Sequence, residues 1–217
     1  MSPINILIVD DHKLFRHGLR TICETRGFRV VGEASNGYEA VQQACRLQPN
    51  VILMDLGMPG LNGIQATQQI LAYHPHIRVI ALTMFIENCH IVDAVHAGVS
   101  GYLLKNSDPD VLVTAIETVA RGDALIDPSM TAKLLSEFRR IDLPPLPDDD
   151  AEPLTPAEME VLTLVAKGED NQEIADILCL SQRTVSNRLS VIYEKLNVKN
   201  RTQAALYALK RGWVSLE

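Results

Sequence analysis

Four short apolar segments of the sequence each end in side chains that can take part in chemistry. The side chains are three carboxylates, a hydroxyl and an ammonium: Asp10, Asp11, Asp55, Thr83 and Lys105. Carboxylates held close together repel, and either a bound divalent cation or a raised pKa relieves that repulsion. Oxygen ligands with room for water and a phosphate suit Mg²⁺. A hydroxyl and an ammonium facing the same cation could hold the oxygens of a phosphoryl group, while one carboxylate accepts that group as the nucleophile.

The elements that position these side chains are predicted to be parallel β-strands. Five apolar runs have the length of buried strands, and segments with helical periodicity lie between them. The runs cover residues 4–9, 29–33, 51–54, 77–82 and 101–104. Repeated βα units with right-handed connections predict an α/β fold with the flavodoxin-like strand order 2-1-3-4-5. In that order strands one, three, four and five are consecutive neighbours, so their carboxyl ends share one edge of the sheet with all five polar side chains.

The residues around these positions resemble the receiver domain of two-component response regulators. The matching motifs are Val9-Asp10-Asp11-His12, Met54-Asp55-Leu56-Gly57-Met58-Pro59-Gly60, Leu82-Thr83 and Tyr102-Leu103-Leu104-Lys105. Any one of these polar residues alone would be interpreted as a cap or a solvated turn residue. Five of them on one edge of a sheet make that interpretation improbable, because clustered titratable groups indicate a site.

The resemblance implies that the phosphohistidine of a sensor histidine kinase donates its phosphoryl group to Asp55. It implies a Mg²⁺ ion with these ligands: Asp11, Asp55, the Gly57 carbonyl and, through water, Asp10. Thr83 and Lys105 would move to the phosphoryl oxygens, and Tyr102 would move inward behind Thr83. This chemistry is self-phosphotransfer and self-dephosphorylation, so catalysis on an external substrate is not expected.

Length and composition fit two modest globular domains. The chain has 217 residues and 47% hydrophobic residues, enough for two cores. No apolar run approaches the ~18 residues of a membrane span, and the first residues lack a signal-peptide pattern. A cytoplasmic protein without a membrane partner is therefore expected. The four cysteines are scattered without a C-x-x-C pair, which gives disulfides or zinc little support.

A stretch rich in proline and aspartate, residues 143–150, is predicted to be an extended connector. The predicted domains are a receiver over residues 1–123, a linker with a short amphipathic helix over 124–152, and an all-α domain over 153–217. The net charge of −7 means that any DNA-binding surface must be a local patch.

The sequence after Leu154 predicts four helices. Thr155-Pro156-Ala157-Glu158 forms a capping box with proline at the first helical position, and Asn171 and Ser181 are predicted to cap the next two helices. Short helices joined by a three-residue turn form a candidate helix-turn-helix. Five basic residues against one acidic residue in the stretch 182–201 are expected of a helix in a major groove.

Several motifs of this domain resemble the LuxR-type DNA-binding domain, so the whole chain resembles a response regulator of the LuxR/NarL type. The motifs include Leu154-Thr155-Pro156, Asn171-x-Glu173-Ile174-Ala175 and Ser181-x-x-Thr184-Val185. The predicted DNA contacts are Arg183, Thr184, Ser186, Asn187, Arg188, Ser190, Lys195, Lys199 and Arg201. Two positions that are often lysine in this family are Ser186 and Ser190, so recognition of bases should depend on hydroxyls and Asn187.

Small side chains on the last helix, Ala204, Ala205 and Ala208, are predicted to leave a smooth surface for a homodimer. Two copies would bind an inverted repeat in double-stranded DNA.

Three other classes of protein are alternatives to the response regulator. A dinucleotide enzyme is disfavoured because no G-x-G-x-x-G follows the first strand, and a phosphatase of the haloacid-dehalogenase type would need a D-x-D there. A transcription factor whose receiver is gated by a ligand or partner protein, without phosphorylation, stays open as the alternative.

Overall fold

The computed structural model describes residues 3–84, 91–126 and 154–214. They fall into two units, which are represented by residues 3–126 and by residues 154–214. The helix predicted within the linker and the proline-rich connector lie outside the described residues. Among the described residues, every helix is too short or too polar to cross a membrane.

The first unit alternates strands and helices. Its elements are β1 (Asn5–Val9), α1 (Lys13–Thr25), β2 (Arg29–Ala34), α2 (Gly37–Leu47), β3 (Val51–Asp55), α3 (Gly63–Tyr73), β4 (Arg78–Thr83), α4 (Ile91–Ala97), β5 (Gly101–Leu104), α5 (Pro109–Ala120) and β6 (Leu125–Ile126). All strand pairs are parallel and the order is β2-β1-β3-β4-β5-β6. The predicted order of the first five strands is confirmed. The sixth strand was not predicted, because two residues are too few to show a period.

β1 and β3 are neighbouring interior strands of the sheet. Their apolar residues are fully buried from Ile6 to Val9 and from Val51 to Met54, as expected of parallel strands whose two faces are both covered by helices. In the register of this pair, Val9 lies beside Met54. The residues that follow, Asp10 and Asp55, therefore emerge side by side at the carboxyl edge of the sheet.

The second unit consists of α6 (Pro156–Lys167), α7 (Asn171–Ile177), α8 (Gln182–Lys195) and α9 (Arg201–Lys210). The four predicted helices are confirmed, as is the capping box of Thr155 and Glu158 on α6. The predicted cap at Asn171 is wrong by one residue. Asp170 caps α7 and forms a capping box with Glu173, whereas Asn171 is buried.

Two glycines of the first unit give a stability prediction with its own control. A Cβ at Gly63, the first residue of α3, would collide with the backbone of Asp55, whereas a Cβ at Gly18, within α1, would meet nothing within 4 Å. We expect Gly63→Ala to destabilise the first unit by roughly 1–3 kcal/mol or more, because backbone has to move. Gly18→Ala should stabilise it by about 0.5–1 kcal/mol. Calorimetry of the full chain measures both, and equal effects would contradict the assigned packing of α3 on β3.

Candidate functional site

Lys105 joins the carboxyl ends of three strands. Its Nζ lies 2.6 Å from Asp10 Oδ2 and 2.8 Å from Asp55 Oδ2. The Lys105 side chain is 5% exposed, and both carboxylates are buried as well. One ammonium thus lies between two buried carboxylates, and it offsets the repulsion between their negative charges.

The position of Lys105 follows from the pairing of β4 with β5. Thr83 lies beside Leu104 in that pair, and the Lys105 backbone N–H donates to the Thr83 carbonyl at 2.7 Å. The side chain then passes over α1, where its Nζ lies 4.9 Å from the centre of the Phe15 ring. Sequence reasoning missed Phe15, because nothing in the periodicity of α1 tells which apolar residue approaches the site.

Burial and pairing shift the pKa values of this site. Burial raises the pKa of Asp55 above its usual range, and the opposing interactions with Lys105 and the Gly57 N–H only reduce that effect. Burial disfavours the Lys105 ammonium, but its bonds to Asp10 and Asp55 outweigh burial and its pKa is raised. Lys105 therefore stays charged at neutral pH, while ionised Asp55 is less stable than a carboxylate in water. A cation next to Asp55 relieves that cost.

The acidic residues fit a hard divalent cation. Ligand atoms of Asp10, Asp11, His12 and Asp55 all lie within 4.8 Å of one another, and oxygen donors dominate the set, as Mg²⁺ prefers. The structure therefore brings the three predicted carboxylate ligands together. The Gly57 N–H donates to Asp55 Oδ1 at 3.1 Å, so the loop after β3 folds back to the same carboxylate.

His12 is a further side chain at this site. Its backbone N–H donates to Asp10 Oδ1 at 2.8 Å, and its Nδ1 lies 2.7 Å from Asp11 Oδ1. The two contacts hold the acidic loop after β1 in one conformation. The sequence motif contains His12 directly after the two aspartates, which is the signal that could have predicted this role.

The two predicted switch residues lie on neighbouring strands. Thr83 is the last residue of β4 and is half-buried. Tyr102 lies in β5, beside Ala81 of β4, and is 1% exposed. The Tyr102 ring therefore occupies a buried position in this structure.

The predicted DNA-contacting residues divide into two groups in the second unit. One group is accessible on α8 or in the turn after it: Arg183, Thr184, Ser186, Asn187, Arg188, Ser190 and Lys199. Two hydroxyls of this group already have intramolecular bonds, since Ser190 Oγ donates to the Ser186 carbonyl at 3.1 Å and Thr184 Oγ1 lies 2.8 Å from Ser181 Oγ.

The other group, Lys195 and Arg201, bonds within the unit. Lys195 Nζ donates to Glu158 Oε2 at 3.0 Å. Arg201 is 8% exposed, its Nη1 donates to Asn171 Oδ1 at 3.0 Å, and its Nη2 donates to the Glu169 carbonyl. These contacts correct the prediction that Arg201 contacts DNA, because its guanidinium is enclosed between the start of α9 and the start of α7.

The alanines of α9 also lie elsewhere than predicted. Ala204 and Ala208 are 0% exposed in the core of the second unit, and Ala205 packs half-buried against the same core. The prediction that they leave a smooth surface for a second copy is wrong for Ala204 and Ala208, and it stays a prediction for Ala205. α9 carries small and apolar residues around much of its circumference, so the sequence pattern does not tell which side faces inward.

An acidic edge on a parallel sheet covered by helices, followed by a helix-turn-helix unit, defines a two-part regulatory protein. The model of the response regulator receiver domain matches residues 6–117, and the model of the bacterial regulatory proteins of the luxR family matches residues 152–208. The chain belongs to the two-component response regulators that join a receiver to a LuxR-type DNA-binding domain. The resemblance given by the sequence motifs is thereby confirmed.

Similar proteins match over nearly the whole length. The transcriptional regulatory protein DegU of Brevibacillus brevis is 36% identical over 232 residues, covering 99% of this chain and 97% of DegU. LiaR of Bacillus subtilis is 39% identical over 213 residues, covering 98% of this chain and all of LiaR. A structure of two RcsB dimers bound to two parallel DNAs is 28% identical, has a TM-score of 0.56 and covers 96% of this chain and 98% of RcsB. From its family and these relatives, the chain is a transcriptional regulator.

The contrasting positions of Arg201 and Arg183 give a test. Arg201→Ala should lower the free energy of unfolding of the second unit by about 2–4 kcal/mol, because a buried charged bond is lost and Asn171 is left unsatisfied. Arg183→Ala, at an exposed position, should leave that stability unchanged. Trp213 is the single tryptophan, and its ring centre lies 5.5 Å from that of Tyr207 in this unit. Urea titrations followed by tryptophan fluorescence therefore measure the unfolding of the second unit. Equal stability of the two variants would contradict the structural role of Arg201.

Proposed function

We propose that Asp55 accepts a phosphoryl group from a sensor histidine kinase, and that this modification controls dimerisation and DNA binding. The proposed parts are a receiver over residues 1–123, a linker over 124–152 and a DNA-binding domain over 153–217. The observation that carries the proposal is the Lys105 ammonium 2.6 Å from Asp10 Oδ2 and 2.8 Å from Asp55 Oδ2. A cation so close to a buried carboxylate is suited to a site where negative charge is added.

In the proposed reaction, a carboxylate oxygen of Asp55 attacks the phosphorus of the phosphohistidine. A P–O bond forms, the P–N bond breaks, and the electron pair of that bond stays on the imidazole nitrogen of the kinase. Lys105 Nζ, already next to Asp55, is placed to neutralise the phosphoryl oxygens, and the Thr83 hydroxyl is proposed to donate to one of them. Catalysis of this kind depends on position and charge neutralisation.

Asp10, Asp11, Asp55 and the Gly57 carbonyl are the groups that we propose hold Mg²⁺. When bound, the ion would neutralise charge on the phosphoryl oxygens. The protein's own contribution is the close approach of the three carboxylates, which the burial of Asp10 and Asp55 makes unfavourable unless positive charge is near.

The proposed switch consists of Thr83 and Tyr102. Movement of the Thr83 side chain towards the phosphoryl group would change the space next to buried Tyr102, and with it the surface formed by α4, β5 and α5. A local change of charge would thus bias a domain with two conformations.

The second unit is proposed to place α8 in the major groove as a dimer on an inverted repeat, acting in the bacterial cytoplasm where the DNA is. Arg183, Arg188 and Lys199 are proposed to contact phosphates, with Ser186, Asn187, Ser190 and Thr184 at base edges or backbone. The dimeric, DNA-bound RcsB structure supports this arrangement. Because Ala204 and Ala208 are buried, other surface residues must form the dimer contact.

Phosphorylation at Asp55 is directly testable. Incubation of the full chain with a small phosphodonor and Mg²⁺ should add one phosphoryl mass to the wild type. Asp55→Asn should add none, because an amide does not attack phosphorus at a useful rate. Asp93→Asn, a matched change at an exposed carboxylate of α4, should be labelled like the wild type.

The DNA affinity of the same samples decides between the two regulatory schemes. Tighter binding by the labelled wild type than by Asp55→Asn would support control by phosphorylation. Equal binding, or comparable labelling of Asp55→Asn, would count against Asp55 as the control point and favour a receiver gated by a ligand or partner protein.

Competition between Lys105 and a divalent cation gives a second prediction. Lys105→Met leaves the carboxylates without their ammonium, so we expect the variant to bind Mg²⁺ more tightly by roughly tenfold, or about 1.4 kcal/mol. Melting temperatures measured across a Mg²⁺ titration give the affinity without any reaction. Lys13→Met, at an exposed position near the same loop, is the control and should match the wild type. Unchanged or weaker Mg²⁺ binding in Lys105→Met would contradict a shared site.

A further inference from the structure

Three exposed side chains connect the two helices of the helix-turn-helix. Gln172 and Asp176 lie one turn apart on α7, and Gln182 is the first residue of α8. Gln182 Nε2 donates to Gln172 Oε1 at 2.7 Å, and Gln172 Nε2 donates to Asp176 Oδ1 at 2.8 Å. We define these three residues as the amide relay.

The relay fixes the orientation of both amides. An ionised carboxylate only accepts hydrogen bonds, so Asp176 requires Gln172 to turn its NH₂ group towards α7. Gln172 then presents its carbonyl oxygen to α8. This oxygen can only accept a hydrogen bond, so the NH₂ group of Gln182 must be the donor. Reversing either amide would set two acceptors or two donors against each other.

Gln182 is left with a defined pair of groups for a ligand. Its NH₂ group has one further N–H, and its carbonyl oxygen accepts no bond from the residues that the structure describes. A donor and an acceptor side by side match the N6 amino group and N7 of adenine in the major groove, the bidentate contact that glutamine makes with this base.

The position of Gln182 agrees with this chemistry. The first residues of a recognition helix are those that contact base edges, and Gln182 lies one turn before Ser186 on α8. Its side chain is exposed, so the base does not have to displace packed groups.

We propose that Gln182 is a specificity-determining residue that recognises one adenine·thymine pair in each half-site, and that Gln172 and Asp176 are positioning residues that orient its amide. This inference rests on the proposed function in one respect, which is that α8 lies in the major groove. It assigns a role to a residue outside the predicted DNA contacts.

The test begins with the full-length wild type and a library of random DNA duplexes. Sequencing of the bound fraction defines the preferred duplex. Gln182→Ala should lose the preference for adenine·thymine at one position of each half-site and bind the preferred duplex roughly ten- to a hundredfold more weakly. Its affinity for unselected duplexes should stay unchanged. Gln69→Ala, the same change on an exposed part of α3, should behave like the wild type.

The positioning role has its own readout. Gln172→Ala and Asp176→Asn should weaken the preference at the same base pair and at no other. Adding Gln172→Ala to Gln182→Ala should cause no further loss, since the two residues act through one contact. Losses that add, or that fall on other base pairs, would overturn the relay.

Failure of the inference and failure of the proposed function give different results. A wild type that selects no sequence at all contradicts DNA recognition by α8. A wild type that selects a site, together with a Gln182→Ala variant of unchanged preference, overturns only the role of Gln182. Equal weakening on all duplexes would make Gln182 a contact to the DNA backbone and would also overturn it. Trp213 fluorescence of each variant establishes that the second unit is folded.

Discussion

The contact of one ammonium with two buried carboxylates is the constraint on which the first unit depends. Asp10, Asp55 and Lys105 come from three strands, and their charges meet only if β1, β3 and β5 end at the same edge in the observed register. A buried carboxylate without its cation is costly, while a paired one is tolerated. The arrangement is therefore sensitive to any charge added at this edge, as the proposed phosphorylation of Asp55 would require.

The second unit uses its cations in two different ways. Lys195 donates a hydrogen bond to Glu158, and Arg201 donates to groups at the start of α7. Both cations therefore stabilise the packing of the helices. Arg183, Arg188 and Lys199 stay accessible. The basic patch available to DNA is accordingly smaller than the local charge of the sequence indicates. With fewer accessible cations, the proposed recognition of DNA would depend more on the polar side chains of α8.

Those polar side chains are organised before any DNA is bound. The Ser181 hydroxyl lies beside that of Thr184, Ser190 donates to the helix backbone, and Gln182 donates to Gln172. Groups that are already oriented lose less conformational freedom on binding, and they accept fewer alternative bases. In the proposed complex with DNA, discrimination between bases would therefore depend on neutral hydrogen-bonding groups that neighbouring residues already orient.

The sequence by itself determined the order of the first five strands, the five polar residues at their ends and the four helices of the second unit. These features depend on local periodicity, caps and loop chemistry. The motifs shared with response regulators identify the family. Only the tertiary structure decided that β6 extends the sheet, that Asp170 caps α7, that Arg201, Ala204 and Ala208 face inward, and that Gln172 meets Gln182. Each of these depends on how a helix is rotated about its axis or on a partner distant in sequence. When small and apolar side chains surround much of a helix, as in α9, the pattern of polar and apolar residues does not indicate which side of the helix faces the core.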